Sequence, residues 1–434
     1  MRIVISGGGI AGLTLALKLL QNEINVTLLE KQAGPSAKTK GELLQPKSLA
    51  ILKTLGVIEP ILQNAQKIER TIVQELGLPP AAEQEAYMDY RILQHEFNYA
   101  VMIPHERLKQ ILLEACLRYR SDFYVANAKV ISLNPAHETL KNQCSYEKEG
   151  LTETIEGDFF VGAEGKTSPI RKILKIPWRQ KKYNHHFLTI SFPRPPQLTE
   201  AMLIAKGAYF LGMFPLPNHR VRTVFMIKPD EYKQLLQLGI EELYRKFIEI
   251  YPPLDGFIQQ VKSFKEIQLM IPESNHVTHY VRGNAVVIGD AAHSVHPMAG
   301  EGMNLAIQDA DILGDLFVWM KEIGSMDKRW LRKYEQVRKP RVQYIASISN
   351  LSAIVYSLKF SIWRRFRMRI FRTIQENELL HLKQMLNISG LGIWRETWLD
   401  RLRQVGIWRN ANKHPPIDQS PYIFTEADDY PWRK

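Results

Sequence analysis

The stretch Arg2-Ile3-Val4-Ile5-Ser6-Gly7-Gly8-Gly9-Ile10-Ala11-Gly12-Leu13 decides the fold. Ile3, Val4 and Ile5 are a short β-branched run, as expected of a buried strand. Gly7, Gly9 and Gly12 then meet the G-x-G-x-x-G spacing, and Leu13, Leu15, Ala16, Leu17, Leu19 and Leu20 carry a helix onward. Strand, side-chain-poor turn and helix start in that order make an anion cradle. The turn lets backbone N–H groups, and Ala11 beside them, close on a pyrophosphate, with the positive end of the helix behind. Val26-Thr27-Leu28-Leu29 gives a second strand ending in Glu30, about 20 residues on, where an acid can hold a ribose; Lys31 follows it. The spacing predicts a βαβ unit that binds an adenine dinucleotide.

A second strand–turn–helix lies far along the chain. Asn284-Ala285-Val286-Val287-Ile288 reads as a buried strand, and Leu305, Ile307, Ala310, Ile312 and Leu313 keep a helical period. Between them runs Gly289-Asp290-Ala291-Ala292-His293, then Pro297-Met298-Ala299-Gly300-Glu301-Gly302-Met303-Asn304. Glycines at 300 and 302 leave room for backbone N–H groups to approach a flat or anionic ligand. Asp290, at the end of its strand, is placed to accept a hydroxyl proton. His293 and His296 are three apart across a non-helical turn with no third ligand nearby. That favours hydrogen bonds within the turn, or a proton relay, over a metal site.

Lys38-Thr39-Lys40-Gly41-Glu42-Leu43-Leu44-Gln45-Pro46 precedes a short helix, and Pro104-His105-Glu106-Arg107 opens another. Arg107 in a first helical turn runs against the macrodipole, which points to a phosphate partner, with a solvated surface arginine as the alternative.

Composition narrows the class. The chain has 434 residues, a formal net charge of +12 and two cysteines, Cys116 and Cys144, which exclude a disulfide framework and a zinc cage. The charge permits acidic ligands, anionic lipid or nucleic acid, but no nucleic-acid motif accompanies it. The N-terminus enters a strand at once, and no apolar run approaches the ~18 residues of a spanning helix. A cytoplasmic protein is expected, with membrane-surface association left open.

Residues 182–228 change character. Three strand-like runs (186–192, 208–214 and 221–227), joined by Pro- and Asn-containing turns, predict an antiparallel sheet inserted into the dinucleotide fold. Phe210, Met213, Phe214 and Pro215 are candidates for an apolar pocket wall, core packing being equally open for each. His185 and His186 lack spaced metal-ligating partners and read as a surface turn. Beyond Pro340, Leu351, Ile354, Val355, Leu358 and Ile362 follow one helical face, with Lys359, Arg364, Arg365, Arg367, Arg369 and Arg372 close behind. Such a basic amphipathic helix over 351–372 lies either on anionic lipid or on its own protein's sheet. The tail from Lys413 to Lys434 is polar, Pro-containing and irregular.

Taken together, Gly7-x-Gly9-x-x-Gly12, Gly41-Glu42-Leu43-Leu44-Gln45-Pro46, Asp158-Phe159-Phe160-Val161-Gly162-Ala163-Glu164-Gly165 and Gly289-Asp290 through Asn304 resemble the single-component FAD monooxygenases of the para-hydroxybenzoate hydroxylase type. Ubiquinone-pathway and aromatic polyketide hydroxylases are among them, and Gly41–Pro46 and Pro104–Arg107 look locally like squalene epoxidase. The resemblance implies an α/β chain with a Rossmann-like FAD-binding domain at 1–70, 100–180 and 275–340. It implies an inserted antiparallel substrate domain at 71–99 and 181–274, and leaves a helical C-terminal segment at 341–434. It puts Gly7, Gly9, Gly12 and Glu30 on the ADP half of FAD, Lys38, Glu42 and Arg107 along the pyrophosphate and ribityl portion, and Asp290 on the ribityl chain. Pro297, Gly300, Gly302, Met303 and Asn304 would line the flavin, with Leu43 nearby. No side chain is expected to act as nucleophile.

The implied activity uses NAD(P)H, bound transiently, and O2 to form a C4a-hydroperoxyflavin that hydroxylates or epoxidises a lipophilic aromatic, quinone-like or polyene substrate. A flavin-dependent reductase of prenyl double bonds and a non-catalytic flavin-binding protein stay open. Two departures stand out: Lys38 where relatives carry Arg, losing the bidentate fork, and Glu164 where they carry Asp.

Overall fold

The computed structural model describes residues 1–34, 41–77, 85–134, 142–207, 209–358, 360–406 and 417–433. Lys38 and Lys359 lie outside the described residues, and of Glu42 only the backbone lies within them.

Strand Arg2–Ser6 pairs in parallel with Asn25–Leu29 on one side and Phe159–Gly162 on the other. Ala285–Val287 extends the ladder in parallel beyond Phe159–Gly162, completing most of a six-stranded sheet. Parallel strands covered on both faces must be apolar throughout. The unbroken runs at 3–5, 159–161 and 285–288 satisfy this, and all are buried. Helices Ile10–Gln21 and Gly302–Glu322 pack side by side in this core. Gly12 permits the close seat of the first helix: a Cβ there would stand 2.0 Å from the Gly7 carbonyl oxygen.

The inserted sheet has seven strands, including Arg70–Leu76 and Glu85–Asp89 from the earlier part of the chain. It is antiparallel except where Ala201–Lys206 runs parallel to Arg70–Leu76. Alternation along Tyr209–Leu216 divides its side chains between two cores. Leu211 and Met213 join Phe225, Leu235 and Phe247 beneath helices Glu231–Leu238 and Ile240–Ile250. Phe210 faces the other way, with Phe187, Met226 and Tyr356.

The basic amphipathic stretch is two helices, Leu331–Ser357 and Ser361–Glu376, rather than one. The break is held by side chains that take the freed carbonyl of Val355: Trp363 Nε1 at 2.9 Å and Arg367 Nη1 at 3.0 Å. Arg364 and Arg367 then reach the buried Glu75 of the inserted sheet, Arg364 Nε at 2.7 Å, so the second helix sits on its own protein's sheet. No helix among the described residues is long and apolar enough to cross a membrane.

Two local readings need correction. His185 is buried, not on a surface turn, because His296 meets it at 2.9 Å between the Nε2 atoms. The end of the tail is ordered rather than irregular. Helix Glu426–Asp429 begins with a Thr425 capping box, and Tyr430 and Trp432 donate to Asp311 at 2.7 Å and Asp315 at 2.8 Å. These two acids are four apart on helix Gly302–Glu322, so they present one face to the returning chain.

Candidate functional site

One cavity of about 1250 Å³ runs from the Gly7–Ala11 turn, past Asp290 and Pro297–Met303, to the inserted sheet and the C-terminal helices. Its dinucleotide end is a cradle. Gly7, at φ +106°, has Ala163 O only 2.5 Å from where a Cβ would stand, whereas a Cβ on Gly9 would meet nothing within 4 Å. Gly7 therefore serves the turn, and Gly9 leaves open the space a pyrophosphate would need. Glu30 lines the same end and accepts from Gly8 N at 2.6 Å and Gln32 N at 2.9 Å. The Glu164 carboxyl also faces it. Its Oε2 accepts from Ser168 Oγ at 2.6 Å, and its Oε1 is buried without a partner among the described residues. Burial raises this carboxyl above the usual range, although hydrogen bonds from Ser168 and Ser6 oppose the shift. Backbone donors and an acid at the ribose position fit the ADP half of FAD.

The basic residues along this wall are Lys31, Lys109, Lys129 and Lys166. Arg107 is not among the lining residues; its Nε donates to Asn64 at 3.0 Å. Helical spacing explains this. His105 and Glu106 share a face with Lys109, while residue 107 lies about 200° around the axis from 105. Lys109 was legible as the cation on the same face as His105, and the macrodipole consideration pointed to its neighbour.

At the other end, Gly300 takes the left-handed conformation at φ +65° and helix Gly302–Glu322 begins directly behind it. Leu43, Asp290, Pro297, Gly300, Gly302 and Met303 all line the cavity. Asn304 does not. Its amide donates to Leu43 O at 2.9 Å and Gly300 O at 3.0 Å. Its carbonyl accepts from Gln45 N at 2.9 Å and Ser48 Oγ at 2.7 Å. With both ends of the side chain engaged, Asn304 clamps the turn to the Gly41–Leu44 strand.

A buried network holds the turn from behind. Asp309 accepts from Gly289 N at 2.9 Å, His293 Nε2 at 2.6 Å and Arg338 Nε at 2.7 Å, all within the core. His296 is buried too, and burial first, then the nearby His185 and Lys181 charges, lower its pKa to about 3. Met298 N donates to its Nδ1 at 3.3 Å, so the proton is assigned to Nε2, facing His185. No group of three metal-ligating side chains occurs among the described residues.

The substrate end differs from the expected apolar wall in detail. Phe214 lines the cavity together with Leu203 and Val224, whereas Phe210, Met213 and Pro215 do not line it. Leu351, Val355, Tyr356, Trp363, Ile370 and Phe371 close the opposite side. Sequence reasoning missed these helices as cavity walls, and it also missed Gln45, Tyr90 and Glu301. The signal for Glu301 was a lone charged residue between two glycines in an otherwise apolar turn.

The sequence profile described as "FAD binding domain" matches residues 1–349. Among curated proteins, the chain is 28% identical over 360 residues to 6-methylpretetramide 4-monooxygenase of Streptomyces rimosus, covering 81% of this chain and 84% of that protein. It is 24% identical over 348 residues to 3-demethoxyubiquinol 3-hydroxylase of Escherichia coli, covering 77% and 85%. Among solved structures, p-nitrophenol 4-monooxygenase from Pseudomonas putida superposes with a TM-score of 0.77 at 17% identity, covering 89% of this chain and 98% of that one.

Proposed function

The chain belongs to the FAD-binding-domain family of flavoprotein monooxygenases, and on that premise we propose that it uses NAD(P)H and O2 to hydroxylate or epoxidise a lipophilic, oxygen-bearing aromatic, quinone-like or polyene molecule. The observation that carries this reading is the single cavity joining the dinucleotide cradle to an apolar chamber. Bound FAD supplies the redox chemistry, taking reducing equivalents and activating O2, which no amino-acid side chain does at neutral pH. The protein's part is binding, orientation and exclusion of water. Gly7–Gly12, Glu30 and Asp290 would hold the cofactor's polar length. The positive N-terminal end of helix Gly302–Glu322, whose Gly302, Met303 and Ala306 line the cavity, favours negative charge on a ring lying against it. Leu203, Phe214 and Val224 on one side, and Leu351, Val355 and Phe371 on the other, give the chamber its preference for apolar bodies.

Peripheral membrane contact belongs to the same proposal. Phe360, Ile362 and Trp398 are exposed at 59%, 79% and 87% beside the arginine-rich helix, a combination suited to anionic lipid. Sedimentation with phosphatidylglycerol vesicles should fall on Ile362→Ser, and equal pelleting of both proteins would remove this part.

The activity is tested by anaerobic reduction of the purified, FAD-loaded protein with NADH and NADPH across quinols, phenols and terpenoids, followed by isotopically labelled O2. Label in the product is expected. Consumption of reductant with saturated double bonds and unlabelled product would establish a reductase in its place.

A further inference from the structure

Glu301 lies inside the molecule, without a charge partner among the described residues. It is 2% exposed, lines the cavity, and has Oε1 buried with no hydrogen-bond partner among the described residues. It sits between left-handed Gly300 and Gly302, at the N-terminus of the 21-residue helix, yet its side chain makes no capping hydrogen bond. The surrounding polar groups are committed elsewhere. Tyr90 Oη donates to Gln45 Oε1 at 2.8 Å, and Gln45 N donates to Asn304 at 2.9 Å. Among the described residues, the Gln45 amide is the group that turns toward the carboxyl. Buried polar atoms in native proteins are nearly always satisfied, and one that faces a ligand cavity is in reach of a bound molecule.

We propose that Glu301 grips the molecule held in the cavity by donating its carboxyl proton to a carbonyl- or phenol-type oxygen of that molecule. Its chemistry agrees with this role. Burial drives the carboxyl well above the usual carboxylate range, and the Gln45 hydrogen bond opposes the shift without overcoming it. Tyr90 is the titratable group beside it, and burial raises that phenol as well. A neutral carboxylic acid offers one O–H donor, and donors of that kind fix the orientation of a flat, mostly apolar ligand. Two oxygens share the required chemistry, one on the FAD ring system and one on the substrate. The inference rests on the flavin-site reading above and assigns the group that orients what is bound there.

Infrared difference spectra at neutral pH test it. A carboxylic-acid carbonyl band should be present in the wild-type protein and absent in Glu301→Gln. The band should shift when apoprotein is loaded with FAD if the partner is the flavin, or when 1,8-dihydroxyanthraquinone is added to the FAD-loaded protein if the partner is substrate. Glu301→Gln keeps an N–H donor and should hold the affected ligand within about threefold of wild type, whereas Glu301→Leu should weaken it by about tenfold or more. Absence of an acid band that Glu301→Gln removes would overturn the proposal, as would a band indifferent to both FAD and the anthraquinone. Should Glu301→Leu fail to fold, the comparison of wild type with Glu301→Gln still decides. A wild-type protein that binds FAD and shifts the band but never incorporates O2 refutes the monooxygenase reading alone. Working monooxygenation without the band refutes only the role of Glu301.

Discussion

Replacing Asp309 by Asn removes the charge, and one of the two acceptor oxygens, from which the Gly289–His293 turn hangs. Burial alone would raise this carboxyl, but the charges and hydrogen bonds of His293 and Arg338 outweigh it and hold the pKa at about 2 against an ordinary 3.8. That difference, about 1.8 pH units at about 1.36 kcal/mol each, corresponds to about 2 kcal/mol of folding stability. The folded value is the lower one, so this contribution is complete above about pH 4 and is lost as the pH falls through about 2. The substitution removes more than the titration does, because the amide keeps one acceptor oxygen and turns an N–H toward the other donors, so Arg338 Nε on one side or Gly289 N and His293 Nε2 on the other meet a donor inside the core. A loss of about 3–5 kcal/mol is the usual consequence of breaking such a buried pair. Urea unfolding of the wild type and Asp309→Asn at neutral pH, followed by tryptophan fluorescence, measures it. Flavin content after gel filtration reports whether the turn still binds. Acid titration should show the wild type losing part of its advantage over the variant between about pH 4 and 2. A neutral-pH difference below about 1 kcal/mol, or an advantage unchanged by acid, would refute the assignment of Asp309 as an ionised anchor.

The two glycines of the cradle should respond differently. Gly12→Ala pushes a Cβ into the Gly7 carbonyl and is expected to cost about 1–3 kcal/mol in stability together with FAD binding. Gly9→Ala meets open space and should melt as wild type while binding FAD about tenfold more weakly; equal FAD affinities would show that the ligand does not approach residue 9. Glu75→Gln leaves Arg364 and Arg367 facing a neutral amide. Hydrogen-exchange protection of residues 361–376 should drop, and unchanged protection would mean that apolar packing alone holds that helix. Trp432→Ala removes a buried indole and its bond to Asp315, for an expected loss of about 3 kcal/mol in urea unfolding; no change would show that the tail does not dock in solution.

The sequence by itself determined the dinucleotide half of this protein. Adjacent residues carry all of its signal there: β-branched runs for covered parallel strands, glycines at fixed offsets, an acid ending the second strand, and Asp290 ending the strand Asn284–Ile288. Local rules of that kind hold because the backbone geometry of a strand–turn–helix leaves few choices at each position. What the sequence left undecided were questions of direction. Phe214 and Met213 are neighbours in a strand, and alternation sends only Phe214 to the cavity, but the sequence does not say which face the cavity lies on. Helical phase likewise separates Lys109 from Arg107 only once the wall is known. His185 with His296, Glu75 with Arg367, and Trp432 with Asp315 are pairs of distant residues that only the folded chain brings together. The tertiary structure also decided that the C-terminal helices close the chamber, and that Glu301 is buried beside it. Burial and partnership are properties of the packed core, and a single residue between two glycines does not announce them.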